Sequence, residues 1–306
     1  MPDGLVAFAF FFFLTATDSF CPLLHAGVET KAISNDESGN AWPNAFSLAS
    51  DHYILLTDLR EEDRSKMIDG LEELYREHIR LYGEIRKKER LKVYLFQRDE
   101  DYKKSVARDH PEAVKNPGFG FYSAKDRIAH FKYRGAIRET LEALRHEGTH
   151  QLFDVDRGTA KAILGTPFYW VHEGIACYFE TLERREDRIV YGNVDHYLFK
   201  TMMEKGREFG EKLDIDSFSR MAQADFMKGS TRHYIYAATL VHFFFHGTDA
   251  GTSDKFRAFV IAVESGNGSA ETFEKIMGKS VASFQSGWVE YVRTLSREGW
   301  EKSIAR

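Results

Sequence analysis

The sequence is poor in cysteine and has no surplus of basic residues. Only Cys21 and Cys177 occur among its 306 residues, too few for a disulfide framework or an all-thiolate zinc site. The 42 Lys and Arg residues are outnumbered by 47 Asp and Glu residues, which leaves a net charge of -5. Phosphate-binding surfaces need a basic surplus, so this balance argues against nucleic acid or an anionic membrane as a partner. Any metal must be held mainly by histidines and carboxylates.

Long apolar runs are also scarce, and the clearest one lies at the N-terminus. Leu5 to Ala16 is almost wholly apolar, which suits the core of an export signal but falls short of the roughly 20 residues that a spanning helix needs. We interpret residues 1–26 as a signal peptide cleaved near Ala26, so the protein is expected to be exported to the periplasm or outside the cell, with no stable membrane span in the mature chain. An uncleaved N-terminal anchor is the alternative, because Asp3 is the only charge before the run.

The remaining chain divides by its hydrophobic pattern into a mixed part and a helical part. Residues 27–45 are polar and are predicted to form a linker. Residues 46–135 are predicted to contain a strand, an amphipathic helix, a second strand and a β-hairpin, over 52–56, 61–90, 91–96 and 119–133 respectively. Residues 136–300 are predicted to be mainly helical, with helices near 136–153, 168–182 and 234–246. The expected fold class is α+β, with a small mixed sheet followed by a helical part.

The segment that indicates chemistry is Arg145-His146-Glu147-Gly148-Thr149-His150, an HExxH motif inside a predicted helix. Residues four apart on a helix differ by only about 40° around its axis, so His146 and His150 can approach one Zn²⁺ ion. Glu147 points about 100° away from His146, beside the metal, where it can take a proton from a zinc-bound water. A chance HExxH is expected in roughly a few per cent of such chains, so the motif needs support from its context.

The next predicted helix offers that support. A catalytic zinc ion needs a third protein ligand, and Glu173 lies 23 residues after His150, far enough for a turn and a returning helix. His172 is the competing ligand. Because neighbours on a helix diverge by about 100°, only one of the two should face the metal, and we favour Glu173.

These residues resemble the gluzincin metallopeptidases, in particular the peptidase-MA-like proteins. HExxH is followed by Trp170-x-x-Glu173-Gly174-x-Ala176-x-Tyr178-x-Glu180, and weaker similarity extends over most of residues 50–296. The resemblance implies that His146, His150 and Glu173 bind zinc and that Glu147 is the general base. It also implies that the strand before the HExxH helix, around Ile128 to Phe131, has an open edge for an extended peptide.

Two features separate the chain from aminopeptidases within that group. Position 172 is His where aminopeptidases usually carry Asn, and no amine-binding motif of the Gly-x-Met-Glu-Asn kind is present. Neither endo- nor exopeptidase action is therefore assigned.

Peptide hydrolysis also needs a donor for the oxyanion that forms when water adds to the carbonyl. Tyr236, Tyr234 and His233 are the candidates, and Tyr236 best matches the family-like Tyr-Ala-x-Thr start of an apolar helix. The alternative is that Tyr236 is a core aromatic residue. His242 and His246 repeat the four-residue spacing without a neighbouring carboxylate base, and we expect core or capping roles for them rather than a second metal site.

The sequence thus predicts a zinc-dependent peptidase acting on peptide or protein substrates. Two alternatives remain open. One is a non-catalytic binding protein that retains the fold, and the other is a zinc hydrolase of non-peptide amides or esters, which would use the same metal chemistry.

Overall fold

The computed structural model describes residues 27–36, 39–87, 89–114, 118–185, 188–193 and 196–295. The predicted signal peptide, residues 1–26, lies outside the described residues. The chain divides into two compact units. The first extends to Ile79 and resumes from Arg86 to Gln151; the second contains Arg80–Ile85 and the chain from Leu152 onwards.

The first unit is built on a six-stranded sheet with three long helices. Its strands are β1 (Glu29–Asn35), β2 (Ala41–Ala49), β3 (Tyr53–Thr57), β4 (Leu91–Phe96), β5 (Gly120–Ser123) and β6 (Ile128–Lys132). Its helices are α1 (Glu61–Tyr82), α2 (Asp99–Asp109) and α3 (Ile137–Arg157), the last residues of α1 and α3 belonging to the second unit.

The sheet is mixed, with strand order β1-β2-β3-β4-β6-β5. Strands β3, β4 and β6 are parallel to one another, and the other neighbours are antiparallel. Parallel neighbours need a crossover connection, which α1 supplies between β3 and β4. The α+β class and the small mixed sheet predicted from the sequence are confirmed.

One face of the sheet is covered by α2. Leu56, Tyr94 and Phe96 form a buried cluster with Tyr102 and Val106 of that helix. Trp42 of β2 completes the cluster by stacking on Phe96, with ring centroids 4.1 Å apart. Alternate side chains of a strand point to opposite faces, and Val93 and Leu95 are fully buried on the other face of β4.

Two expectations about this unit are wrong. Residues 27–45 are not a linker, because β1 and most of β2 lie within them and pair with each other. The strand with the open edge is not β6, which pairs with β4 on one side and β5 on the other. The edge strand on that side is β5.

The second unit is mainly helical, as expected. Its elements are α4 (Thr159–Ala162), α5 (Tyr169–Glu180), β7 (Glu183–Arg185), β8 (Arg188–Val190), α6 (Tyr197–Lys212), α7 (Ile215–Ser219), α8 (Gln223–Lys228), α9 (Ser230–His246), α10 (Ala250–Glu264), α11 (Ala270–Met277) and α12 (Gln285–Thr294). Strands β7 and β8 form a separate antiparallel pair.

Helix α5 is the centre of the second unit, since eleven of its twelve residues are buried. Trp170 lies parallel to Phe256 of α10 and Phe244 of α9. Among the residues that the structure describes, no helix combines the length and apolarity needed to cross a bilayer.

Candidate metal and catalytic site

Helix α3 carries the HExxH motif, and buried leucines form its apolar face, with Leu141 packing against Gly70 of α1. Leu141, Leu144 and Leu152 are buried at helical spacing. Gln151, the residue after the motif, is fully buried and donates from Nε2 to the carbonyl oxygens of Lys92 at 2.9 Å and Arg127 at 3.0 Å. The motif is therefore held by side-chain packing and by two hydrogen bonds to backbone outside the helix.

Gly148, inside the motif, allows α1 to pack closely on α3. A Cβ atom at this position would lie 2.7 Å from Leu74 Cδ2 of α1, closer than carbon atoms approach in packed interiors. Glycine disfavours a helix interior by about 1 kcal/mol relative to alanine. The close packing of Leu74 against this position accounts for a glycine inside the helix.

The two motif histidines lie one helical turn apart on the same side of α3. Their ring centroids are 4.9 Å apart, the rings are inclined at 82°, and both side chains are partly buried. Imidazole nitrogens are common zinc ligands, and a pair at this spacing can supply two corners of a tetrahedral site. The donor set on α3 therefore fits Zn²⁺.

Glu147 faces the edge of the sheet. Its Oε2 accepts a hydrogen bond of 3.0 Å from the backbone N–H of Tyr122 in β5. Lys132 N donates to Phe119 O, so Phe119 and Lys132 form a hydrogen-bonded pair at one end of the β5–β6 ladder. In an antiparallel ladder every second residue of a strand bonds to its partner strand. The backbone N–H and C=O groups of Gly120 and Tyr122 therefore point away from β6. The carboxylate of Glu147 thus lies at the outer edge of β5, beside backbone groups that do not pair with β6.

The negative charge of Glu147 influences a neighbouring phenol. Burial, and secondarily the charges of Glu147 and Asp99, raise the pKa of Tyr102 on α2. Tyr102 is fully buried, so it stays protonated and serves the core rather than acid–base chemistry.

Glu173 lies on α5 of the second unit and is held by a tyrosine that the sequence analysis did not identify. Tyr169 donates its hydroxyl hydrogen to Glu173 Oε1 at 2.6 Å, and Gln223 of α8 donates to the Tyr169 oxygen at 3.3 Å. Tyr169 precedes Glu173 by four residues, which places the two on the same face of a helix. That spacing could have been recognised in the sequence. Gln223 could not, because it lies 54 residues after Tyr169, its hydrogen-bond partner.

His172, the competing ligand, has a different environment. Its Nδ1 lies 3.1 Å from both carboxylate oxygens of Glu264, which is fully buried on α10. Glu264 is also held through its backbone carbonyl, which accepts from Thr159 Oγ1 at 2.7 Å. Adjacent residues on α5 therefore serve different partners, as their angular separation requires.

The three candidates for oxyanion stabilisation lie near the start of α9. Tyr236 is buried, packs edge-on against Phe218 and Trp288, and has its phenol pKa raised by burial. His233 Nδ1 lies 2.7 Å from the carbonyl oxygen of Phe226, and the Tyr234 hydroxyl contacts the sulfur of Met227. Within the second unit, the surroundings of Tyr236 are those of a core aromatic residue, the alternative considered from the sequence.

Helices α5 and α9 approach closely beside Glu173. A Cβ atom at Gly174 would lie 2.7 Å from the carbonyl oxygen of Ala237. Only glycine leaves room for the α9 backbone here, and Ala237 follows Tyr236 directly. The structure thus brings His146, Glu147 and His150 together on α3, and brings the segments that carry Glu173 and Tyr236 together within the second unit.

His242, His246 and Cys177 pack within the second unit. His242 is fully buried between Tyr291 and the carbonyl oxygen of Gly192, and His246 Nε2 lies 2.7 Å from the Tyr178 hydroxyl. His242 therefore lies in the core, whereas His246 is half-buried at the last position of α9. Cys177 is buried in α5.

Comparison with known proteins adds a family without a described activity. Residues 140–259 match the family described as "Protein of unknown function (DUF1570)". The match includes the HExxH motif and Glu173 and covers less than half of the chain. No curated protein and no solved structure matches the sequence.

Proposed function

We propose that this protein is a zinc-dependent peptidase of the gluzincin type. In this proposal His146, His150 and Glu173 hold Zn²⁺ and Glu147 is the general base. The observation that carries it is the position of Glu147, on the helix that presents both histidines and at the outer edge of β5. A purely structural zinc site would have no use for a carboxylate in that place.

The edge of β5 suits an extended peptide. A substrate strand can add to an exposed sheet edge through main-chain hydrogen bonds, and alternate side chains then determine specificity. The outward backbone groups of Gly120 and the carbonyl oxygen of Tyr122 would bind the substrate main chain. Since Glu147 contacts the N–H of Tyr122, a peptide bound along this edge would pass the general base.

The residues would divide the work of hydrolysis among them. A zinc ion, when bound, lowers the pKa of its water ligand and polarises the substrate carbonyl. Glu147 would accept the proton from the attacking water and deliver it to the leaving amine, oriented by the N–H of Tyr122. The Tyr169 hydroxyl would orient the carboxylate of Glu173. Tyr236 is the proposed oxyanion donor, with Tyr234 and His233 as alternatives.

Metal analysis followed by a peptide-library digest tests the proposal. We expect bound zinc, cleavage of peptides, and loss of cleavage with a chelator. Glu147→Gln should abolish cleavage and retain zinc. Glu142→Gln is the matched control, because Glu142 lies on the same helix but pairs with Arg138 at 3.2 Å, and it should retain both properties.

Each alternative gives a different result in the same experiment. Full peptidase activity of the Glu147→Gln variant would contradict the proposed mechanism. Cleavage of amide or ester substrates without cleavage of peptides would indicate a non-peptide hydrolase. Bound zinc without hydrolysis of any substrate would indicate a binding protein that retains the metal.

We also propose that the protein is exported to the periplasm or outside the cell. This proposal depends on residues 1–26 alone, with an uncleaved N-terminal anchor as its alternative.

A further inference from the structure

Two histidines and an aspartate that are not part of the HExxH motif converge in the first unit. His110 directly follows α2, Asp126 lies in the turn between β5 and β6, and His130 lies within β6. The two imidazole rings are almost completely buried, whereas the carboxylate is 30% exposed. His110 lies 16 residues before Asp126, so the fold brings the three residues together.

We propose that His110, Asp126 and His130 form a second metal site, which takes a divalent transition-metal ion of the Zn²⁺ type. None of the three residues belongs to the proposed catalytic set, so this proposal does not depend on the peptidase proposal.

The distances among the ligand atoms suit a tetrahedral ion. His110 Nε2 lies 2.9 Å from Asp126 Oδ2 and 3.2 Å from His130 Nε2, and His130 Nε2 lies 3.3 Å from the same oxygen. Bonds of about 2.0–2.1 Å at tetrahedral angles separate neighbouring ligand atoms by about 3.3 Å. Three protein ligands from two imidazoles and one carboxylate are a common zinc set, with the fourth position left for water.

The surroundings orient these ligands. Asp126 Oδ1 accepts from the backbone N–H of Ile128 at 3.1 Å, which leaves Oδ2 directed at both histidines. Phe121 stacks on the His130 ring and packs edge-on against the His110 ring. The other ring nitrogen of His110, Nδ1, lies 3.6 Å from a carboxylate oxygen of Glu112, and metal-bound histidines commonly have a carboxylate at that position.

Hydrogen bonding alone explains the cluster less well. If Asp126 Oδ2 accepted from both rings, the two Nε2–H groups would be donors only 3.2 Å apart. With a metal ion, both Nε2 lone pairs bind the same centre and no such conflict arises. The ion would tie the end of α2 to the β5–β6 hairpin and so fix the edge strand.

The test uses the full chain with the proposed catalytic ligands removed. In the His146→Ala/His150→Ala background, zinc content after dialysis and Co²⁺ absorption measure the second site alone. We expect one equivalent of zinc in this background and a Co²⁺ spectrum typical of tetrahedral coordination. Adding His110→Gln or Asp126→Asn should weaken zinc binding by about 10-fold or more. His52→Gln, in the same unit but paired with Glu72, is the matched control.

Two results would overturn the proposal. One is absence of zinc and cobalt binding in the background variant. The other is undiminished binding after His110→Gln and after Asp126→Asn, both checked for native circular dichroism. Either result would leave a hydrogen-bonded cluster. Failure of the peptidase proposal would give a different result. The wild type would then bind a single equivalent of zinc, and His110→Gln alone would remove it.

Discussion

At the scale of single residues, the candidate site combines positions that a sequence can reveal with others that it cannot. His146, Glu147 and His150 are identifiable because their relation is local to one helix. The contact between Glu147 and the Tyr122 N–H joins residues from different elements and needs the strand order to be known. Tyr169 can be recognised only in part from the sequence. Its separation of four residues from Glu173 is a helical spacing, but a tyrosine does not by itself indicate a partner of a metal ligand.

The first prediction concerns Tyr169. Removing the hydroxyl in Tyr169→Phe leaves the carboxylate of Glu173 without the donor at 2.6 Å. If Glu173 is a zinc ligand, we expect zinc affinity to fall about 10-fold, the lower end of the usual effect of losing a partner of a metal ligand. Competition with a chromogenic chelator measures this. Tyr178→Phe is the control, because Tyr178 lies on the same helix and its hydroxyl contacts His246. Equal zinc affinity in Tyr169→Phe and wild type would remove Tyr169 from the site.

At the scale of elements, predictions succeeded where apolar side chains recur with a clear period. Strand β4 was predicted at its observed bounds, and α3, α5 and α9 were predicted near theirs. Strand β1 was missed because six of its seven residues are exposed, so its pairing is held by backbone hydrogen bonds that leave no hydrophobic pattern. In β2, Trp42, Ala45 and Leu48 are buried at a spacing of three, not the alternation that indicates a strand.

The order of strands was equally hidden. The predicted hairpin is present, but pairing of β6 with β4 places β6 inside the sheet and β5 at the edge. Hydrophobic patterns identify strands and do not determine their neighbours.

The second prediction compares two glycines at helix crossings. A new Cβ atom at Gly174 meets the backbone oxygen of Ala237, whereas one at Gly148 meets the end of the Leu74 side chain. A leucine side chain can rotate and a helix backbone cannot, so Gly174→Ala should be destabilising by about 1–3 kcal/mol more than Gly148→Ala. Both variants gain the same helix propensity, which cancels in the comparison. Urea unfolding measures the difference, and equal free energies of unfolding would contradict this account of the α5–α9 contact.

At the scale of the whole molecule, the hydrophobic pattern predicted the class of fold but not the division of the chain. The boundary expected near residue 135 lies instead after Gln151, inside α3. The polar character of residues 27–45 suggested a linker, yet these residues form the edge strand β1 and the start of β2, and most of their side chains are not buried. A change in composition marks a change in burial, and here it does not coincide with a change of unit.

The stability of the whole molecule should depend on pH through its buried neutral histidines. Burial lowers the pKa of His246 to about 4, and burial followed by the proximity of His246 lowers the pKa of His242. An unfolded chain binds these protons near pH 6.5. The unfolded state therefore takes up more protons between about pH 6.5 and 4, and the stability that is present above pH 6.5 is lost as the pH falls through this range.

The third prediction follows from this titration. For His246 alone, the free energy of unfolding should fall by about 3 kcal/mol between pH 6.5 and 4. Replacing it in His246→Gln, which can still bond the Tyr178 hydroxyl, should flatten the dependence of the unfolding free energy on pH between 6.5 and 4. Urea unfolding at a series of pH values, with a chelator present to exclude metal effects, gives the slopes of variant and wild type. Since a neutral amide binds no proton in this range, parallel slopes would mean that His246 binds its proton over the same pH range in the folded and unfolded states, which would contradict the lowered pKa.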